Sequence, residues 1–239
     1  MIELQPGYRR RILIEATSNC SMAELEDDYH RMVVTLRHVD GIVNEVSSEM
    51  KRAPWTGCPG AMNKLRETFV GHSLASFVQR GEKRENCTHL HDLALFAAAH
   101  ADELEPIAYD IYVTDPVDGV REANLKRNGV ALLNWTLKEG AFLAPEELVG
   151  RHLGGLNDWI ASVDKPMAEA IRVLRWASIV AQGRGRHMPA GMPATDFPLG
   201  SCFNFQPGRA EGSTRQQHAD IDFSAPGREP MADRSVAFN

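Results

Sequence analysis

Two short segments hold the residues best suited to chemistry. In PWTGCPGA (54–61), Cys58 stands between Gly57 and Pro59, just ahead of a helical pattern. A thiol at a helix N-terminus feels the positive end of the dipole, which lowers its pKa and suits a nucleophile or a metal ligand. The plainer alternative is a small buried hydrophobe. In NCTHLHDL (86–93), Cys87, His89 and His91 gather at a second loop-to-helix junction. Cys87 and His91 are one helical turn apart and share a face, and Asp92 can orient a histidine. If Thr88 or Asn86 caps this helix, the histidines face solvent instead. A third segment, LEDDYH (25–30), puts Asp28 and His30 beside Tyr29 at the entry to a strand. It offers a base or hard metal ligands, or simply a charged turn. Arg52 can pair with an anionic group and Trp55 offers a flat apolar face. Core packing explains Trp55 equally well.

These segments need elements to position them. Residues 8–50 read as an antiparallel β-meander: RRILIEAT and RMVVTLRHV alternate, and VDG turns the chain into IVNEVSSEM. Near Gly60 the period becomes helical, with Met62, Leu65, Phe69 and Val70 on one face and Gly71 as the stop. QRGEKREN (79–86) reads as a loop, and THLHDLALFAAAHADEL as a helix whose face holds Leu90, Leu93, Ala94, Ala97 and Ala98. A second meander follows in IAYDIYVTD, VREANLKR and VALLNWTL, separated by DPVDG and RNG turns. Two helices come next, near 153–162 and 165–182, the latter with Asp164 as N-cap and Pro166 in its first turn. From Gly183 the chain is rich in Gly, Pro and Ser and is expected to run extended over the body, anchored by Phe197, Phe203, Phe205 and Phe223. The expected organisation is therefore an α+β half over 1–104, a second meander with helices over 105–183, and a wrapping tail over 184–239. A short echo, FVGHSL (69–74) against LVGRHL (148–153), follows each meander. It is either chance or the trace of two related halves with a cleft between them.

Composition narrows the classes. The chain has 239 residues, 43% apolar and 24% charged, which suits a globular protein with a real core. A net charge of −6 argues against a nucleic-acid partner, and Arg9, Arg10 and Arg11 read as a solvated strand edge. No apolar run approaches the roughly 20 residues that span a bilayer. The arginine cluster leads into an alternating segment rather than the apolar core of a signal peptide, so a cytoplasmic setting is expected. There Cys20, Cys58, Cys87 and Cys202 stay reduced, and without a C-x-x-C pair they form neither a zinc knuckle nor a thioredoxin motif. No Gly-rich phosphate loop, G-x-S-x-G elbow or H-E-x-x-H helix is found.

The runs PGYRRRILIEA, AELEDDYHRMVVTLRH, APWTGCPGA, NCTHLHDLA and SCFNFQPGRA resemble a proteobacterial family known as domain of unknown function 2889, over nearly the whole chain. The PW-x-x-CP and CTHL-x-DL pieces carry most of the likeness. The resemblance implies a place in bacterial aromatic catabolism and a formaldehyde-releasing lyase acting on lignin-derived phenolic dimers. The stretch from VVTLRHVDG to NCTHLHDLALFAAA is also similar, more distantly, to the iron–sulfur cluster assembly scaffold fold. There Cys58 and Cys87 fall on two scaffold ligands. The first scaffold cysteine has no counterpart, Asp28 or His30 being nearest, and the histidine before the last cysteine is Asn86.

The lyase reading implies no cofactor. Its catalytic residues come from Asp28, His30, Cys58, Cys87 and His89, with Asp28, His30 or His89 as base. A small aromatic substrate is held by Arg52, Trp55 and Tyr29, Arg52 stabilising a phenolate and Trp55 stacking on a ring. The alternative is a metal-binding or sulfur-transfer module with zinc or iron on Cys58, Cys87, Asp28 and His89. A third is a non-catalytic small-molecule or partner binder. None of these involves nucleic acid or a membrane, and a homo-oligomer is allowed.

Overall fold

Alternation and turn chemistry together build the sheet. A computed structural model describes residues 5–217 and 219–234, with only the backbone given at 78. The strands are β1 (Gly7–Thr17), β2 (Cys20–Asp27), β3 (Arg31–Val39), β4 (Ile42–Arg52), β5 (Ile107–Thr114), β6 (Val120–Arg127), β7 (Val130–Lys138) and β8 (Ala141–Ala144). They form one antiparallel sheet of order β4-β3-β2-β1-β5-β6-β7-β8. The α-helices are α1 (Ala61–Phe69), α2 (Thr88–Ala99), α3 (Asn157–Ser162) and α4 (Lys165–Ala181). The protein is thus α+β, as its alternation predicts. No helix among the described residues is long and apolar enough to cross a membrane.

Four hairpins close on Xaa-Gly pairs with both residues at positive φ: Asp40-Gly41, Asp118-Gly119, Asn128-Gly129 and Glu139-Gly140. Such turns match the right-handed twist of the strands they join. Two strands add to the segments named in the sequence. CSMAELED forms β2 within the 8–50 meander, and the acidic stretch runs from its end into the turn that follows. Alternate residues Ala23 and Leu25 of β2 are wholly buried. AFLA forms the short edge strand β8.

The chain divides into two compact units that differ from linear halves. Ile12–Ile107 joins with His187–Ile221, and Ala108–Arg186 joins with the start of β1 and the stretch from Asp222. The Gly/Pro-rich tail is therefore shared between the units rather than set apart. In the first unit α2 packs on β2 and β3, burying Leu90, Leu93, Ala94 and Ala97 against Leu25, Met32 and Val34. In the second, α4 packs on β6 and β7 over Leu125, Trp135 and Leu137. Asp164 caps α4 by accepting the Met167 N–H at 2.8 Å, as the sequence predicts.

The short echo is real in hydrogen-bond detail. In the first copy the Gly71 N–H donates to Val43 O (2.8 Å), Val43 N–H to His72 O (2.9 Å) and Leu74 N–H to Gly41 O (2.9 Å). In the second, Gly150 N–H donates to Phe142 O (3.4 Å), Phe142 N–H to Arg151 O (2.9 Å) and Leu153 N–H to Gly140 O (2.9 Å). Gly71 and Gly150 sit at φ +83° and +82°, where a side chain is disfavoured. Each meander is thus latched by the same glycine hook.

Candidate functional site

The site lies in the unit formed by Ile12–Ile107 and His187–Ile221. It starts at the β2–β3 turn. Asp27 N–H donates to His30 O at 2.8 Å, and Asp27 Oδ1 accepts the N–H groups of Tyr29 and His30, each at 2.8 Å. An aspartate that binds the backbone ahead of it is the physical basis of an Asx turn. The same Oδ1 lies 3.0 Å from His30 Nδ1. The carboxylate paired with His30 is therefore that of Asp27. Asp28 contributes its carbonyl, which accepts from Ile221 N–H (2.8 Å) and from Arg52 (2.9 Å).

In a neutral ring, Nδ1 donating to the carboxylate leaves the lone pair on His30 Nε2. That nitrogen makes no hydrogen bond among the described residues. His89, in the first turn of α2, stacks its ring on that of His30 with centroids 3.9 Å apart and planes 28° apart. Asp27, His30 and His89 are all buried, and their ligand atoms lie within 4.8 Å of one another. No other such trio of histidine, cysteine or acidic side chains occurs among the described residues. His91, the other histidine of the motif, is not part of this trio and packs on Phe69. Neither of its ring nitrogens has a hydrogen bond. Asp92 pairs with Lys83 at 2.6 Å rather than orienting a histidine closely, its nearer approach to His91 being 4.0 Å. Asn86 does not cap α2; its amide donates to Thr68 Oγ1 and Glu82 O.

Arg52 has a different role from the one its charge suggested. Its guanidinium donates to the carbonyls of Asp27 (2.6 Å), Asp28 (2.9 Å), His30 (3.3 Å) and Ala219 (3.0 Å), and to Glu26 Oε1 (3.2 Å). It clamps the β2–β3 turn and ties residue 219 to it, which leaves the planar fork little to offer a substrate. Glu24, wholly buried, takes Arg31 and Lys51 at 3.2 and 3.1 Å and completes a charged ladder across β2, β3 and β4.

Trp55 is buried in an aromatic cluster, edge-on to Phe197 (5.2 Å) and Phe205 (5.4 Å). Beside it runs a strap from the C-terminal region. Thr56 N–H donates to Thr214 O, Gln216 N–H to Pro54 O, and the Gln216 side chain to Ala53 O and Trp55 O. Arg215 on this strap lies 5.7 Å from the ring centroids of both Tyr29 and Trp55. Tyr29 in turn meets the His30 ring edge-on at 6.2 Å.

The two cysteine segments do approach. Cys58 opens a 3-10 turn of three residues, and Cys87 is the N-cap of α2. Phe203 N–H donates to Asn86 O at 2.9 Å, and the Phe203 ring fills the space beside Gly60, bringing Cys202 to the same place. The expected activation of Cys58 is reversed. Burial pushes its thiol well above the ordinary range, and nearby Cys87 and Cys202 add to the rise because thiolates repel one another. Burial likewise pushes Cys87 up to about 12. These are neutral, packed thiols. Sequence reasoning missed Asp27 and Arg215. The three-residue spacing of Asp27 and His30 across a strand end was a usable signal; nothing local marked Arg215. No family model, no curated protein and no solved structure matches the chain.

Proposed function

We propose that the protein is a small-molecule enzyme of bacterial aromatic catabolism, a cofactor-independent carbon–carbon lyase that releases formaldehyde from a phenolic dimer in the cytoplasm. The observation that carries this reading is the buried Asp27–His30 pair, with Nδ1 tied to a carboxylate and Nε2 left as a base beside His89. The resemblance to domain of unknown function 2889 supplies the substrate class. In the reaction, a phenolate expels a benzylic oxygen substituent, which leaves with a proton, and a quinone methide remains. His30 then removes the proton of the primary alcohol. The bond between the hydroxymethyl carbon and its neighbour breaks, its electrons restore the phenolate, and formaldehyde departs.

The test is formaldehyde release from phenolic aryl-propanediols by the purified protein. His30→Gln should lower turnover by about 10²–10⁴-fold, the usual worth of a positioned base. Asp27→Asn should lower it as well, by unfixing the tautomer. Formaldehyde yields no higher than those of a boiled control would end the lyase reading.

A second reading is favoured by the convergence of Asp27, His30 and His89 within 4.8 Å. One carboxylate and two imidazoles suit zinc or iron(II), whereas the buried neutral thiols take no part. Elemental analysis of untagged protein decides between them: stoichiometric metal that disappears in His89→Ala supports the metal module, and its absence removes it.

A further inference from the structure

We propose that Arg215 is the residue that receives the phenolate oxygen of the substrate, an inference that rests on the phenolic reading of the same site. Arg215 is nearly fully buried, with 4% of its side chain exposed. Its backbone is fixed on both sides, since its N–H donates to Met192 O and its carbonyl accepts from Gly191 N–H, each at 2.9 Å. The bridge between Trp55 and Arg215 fixes it to the residues that follow β4. The guanidinium is therefore a positioned group rather than a mobile surface charge.

Its hydrogen bonding is incomplete. Among the described residues the guanidinium makes a single hydrogen bond, from one terminal nitrogen to Asp220 Oδ1. The rings of Tyr29 and Trp55 lie beside the guanidinium. Aromatic faces favour a cation but satisfy no donor directionally. Its remaining N–H groups are not sealed from solvent and are open to an anionic acceptor. Asp220, its one partner, is half exposed and shares the charge with water.

The choice of ligand follows from the neighbours. Two aromatic rings flank the cation, and the stacked imidazoles of His30 and His89 lie beyond Tyr29. An aromatic ring bearing an anionic oxygen matches this set: the oxygen takes the unused N–H groups, and the ring meets aromatic edges. Arg52 cannot serve, because its donors hold the β2–β3 turn. A cation next to the phenol oxygen also favours the ionised form that the proposed reaction starts from.

The probe is 4-nitrophenol, whose phenolate absorbs in the visible, titrated against pH with and without excess protein. Bound to wild type, it should ionise at least about one pH unit below the free compound, the low end of what an adjacent arginine does to an acid. Arg215→Lys should keep part of the shift. Arg215→Met should abolish it and weaken phenolate binding roughly tenfold or more, while binding of nitrobenzene, which has no ionisable oxygen, stays unchanged. Asp220→Asn removes the competing negative charge and should bind the phenolate more tightly. That variant keeps the idea testable if Arg215→Met does not fold, as judged by circular dichroism. An unshifted or unbound 4-nitrophenol in wild type, an unaltered shift in Arg215→Met, or weaker phenolate binding in Asp220→Asn overturns the proposal. Absence of formaldehyde release refutes the lyase reading alone, since this measurement requires no turnover.

Discussion

Replacing Arg52 by methionine separates a structural clamp from a substrate cation. The side chain is 13% exposed and donates to four carbonyls and one carboxylate. Methionine keeps the length and apolar stem but leaves the carbonyls of Asp27, Asp28, His30 and Ala219 without their charged donor. Glu26 then loses its 3.2 Å contact with the guanidinium, while Arg31 stands farther off at 3.9 Å. Removing one member of a buried, hydrogen-bonded charge pair typically costs about 3–5 kcal/mol. That is a large part of the roughly 5–15 kcal/mol by which a domain is stable. Urea unfolding should show the midpoint falling with the slope unchanged, the signature of lost stability rather than altered compactness. Arg52→Lys keeps the charge but loses the fork, so it should fall between wild type and Arg52→Met. It should still shift the ionisation of bound 4-nitrophenol to lower pH, because Arg215 supplies that effect. If Arg52→Met instead stays within about 1 kcal/mol of wild type, well short of the penalty for a broken buried pair, and loses phenol binding, then Arg52 is the substrate cation and the clamp argument is wrong.

Two further outcomes follow from the thiols and the strap. Burial holds the Cys87 thiol neutral up to about 12, so its folded pKa lies above its unfolded one. The associated stability is full below the ordinary thiol range and is lost as pH rises from there toward about 12, by roughly 4 kcal/mol at most. Cys87→Ala should flatten that alkaline loss in urea titrations run at successive pH values, and an unchanged slope would contradict the burial. Gly57→Ala should destabilise by about 1–3 kcal/mol through overpacking, because its new carbon would stand 2.5 Å from Asn204 Oδ1 and 3.0 Å from Ser213 Oγ. Thermal unfolding checks this, and an unaltered midpoint would mean the strap yields.

Much of the sheet was legible because alternation and Xaa-Gly turns are local signals. VREANLKR is a strand from end to end, and Asp164 caps α4 as read. β2 was obscured by its charge: Glu24 and Glu26 look like turn residues until Arg31, Lys51 and Arg52 are known to neutralise them from neighbouring strands. The site was half legible. His30 and His89 were visible as residue types at element ends, and their stacking needed only the hairpin and α2 to meet. The choice between Asp27 and Asp28 turns on which carboxylate closes the turn, a matter of one residue's phase in a strand. Arg215 was not legible at all. It reaches Trp55 through strap hydrogen bonds spanning most of the chain, and sequence distance hides such pairing.

The two glycine hooks bear on whether the polar cluster is structural. Both copies build four strands, an Xaa-Gly turn before the last strand, and a hook that latches it. In each, a helix packs on the middle two strands. Where the first copy has Asp27–His30 between its second and third strands, the second has the two-residue turn Asn128-Gly129. Where α2 begins with Thr88 and His89, α4 begins with Lys165 and Pro166. Among the described residues, the second framework therefore forms without a carboxylate–imidazole pair or a stacked histidine at the corresponding place. Burying those groups is unfavourable by itself, since desolvated charges need partners merely to break even. The same chain thus builds the corresponding corner with a simpler turn, and the Asp27–His30 pair with His89 is what the first copy adds to the shared framework.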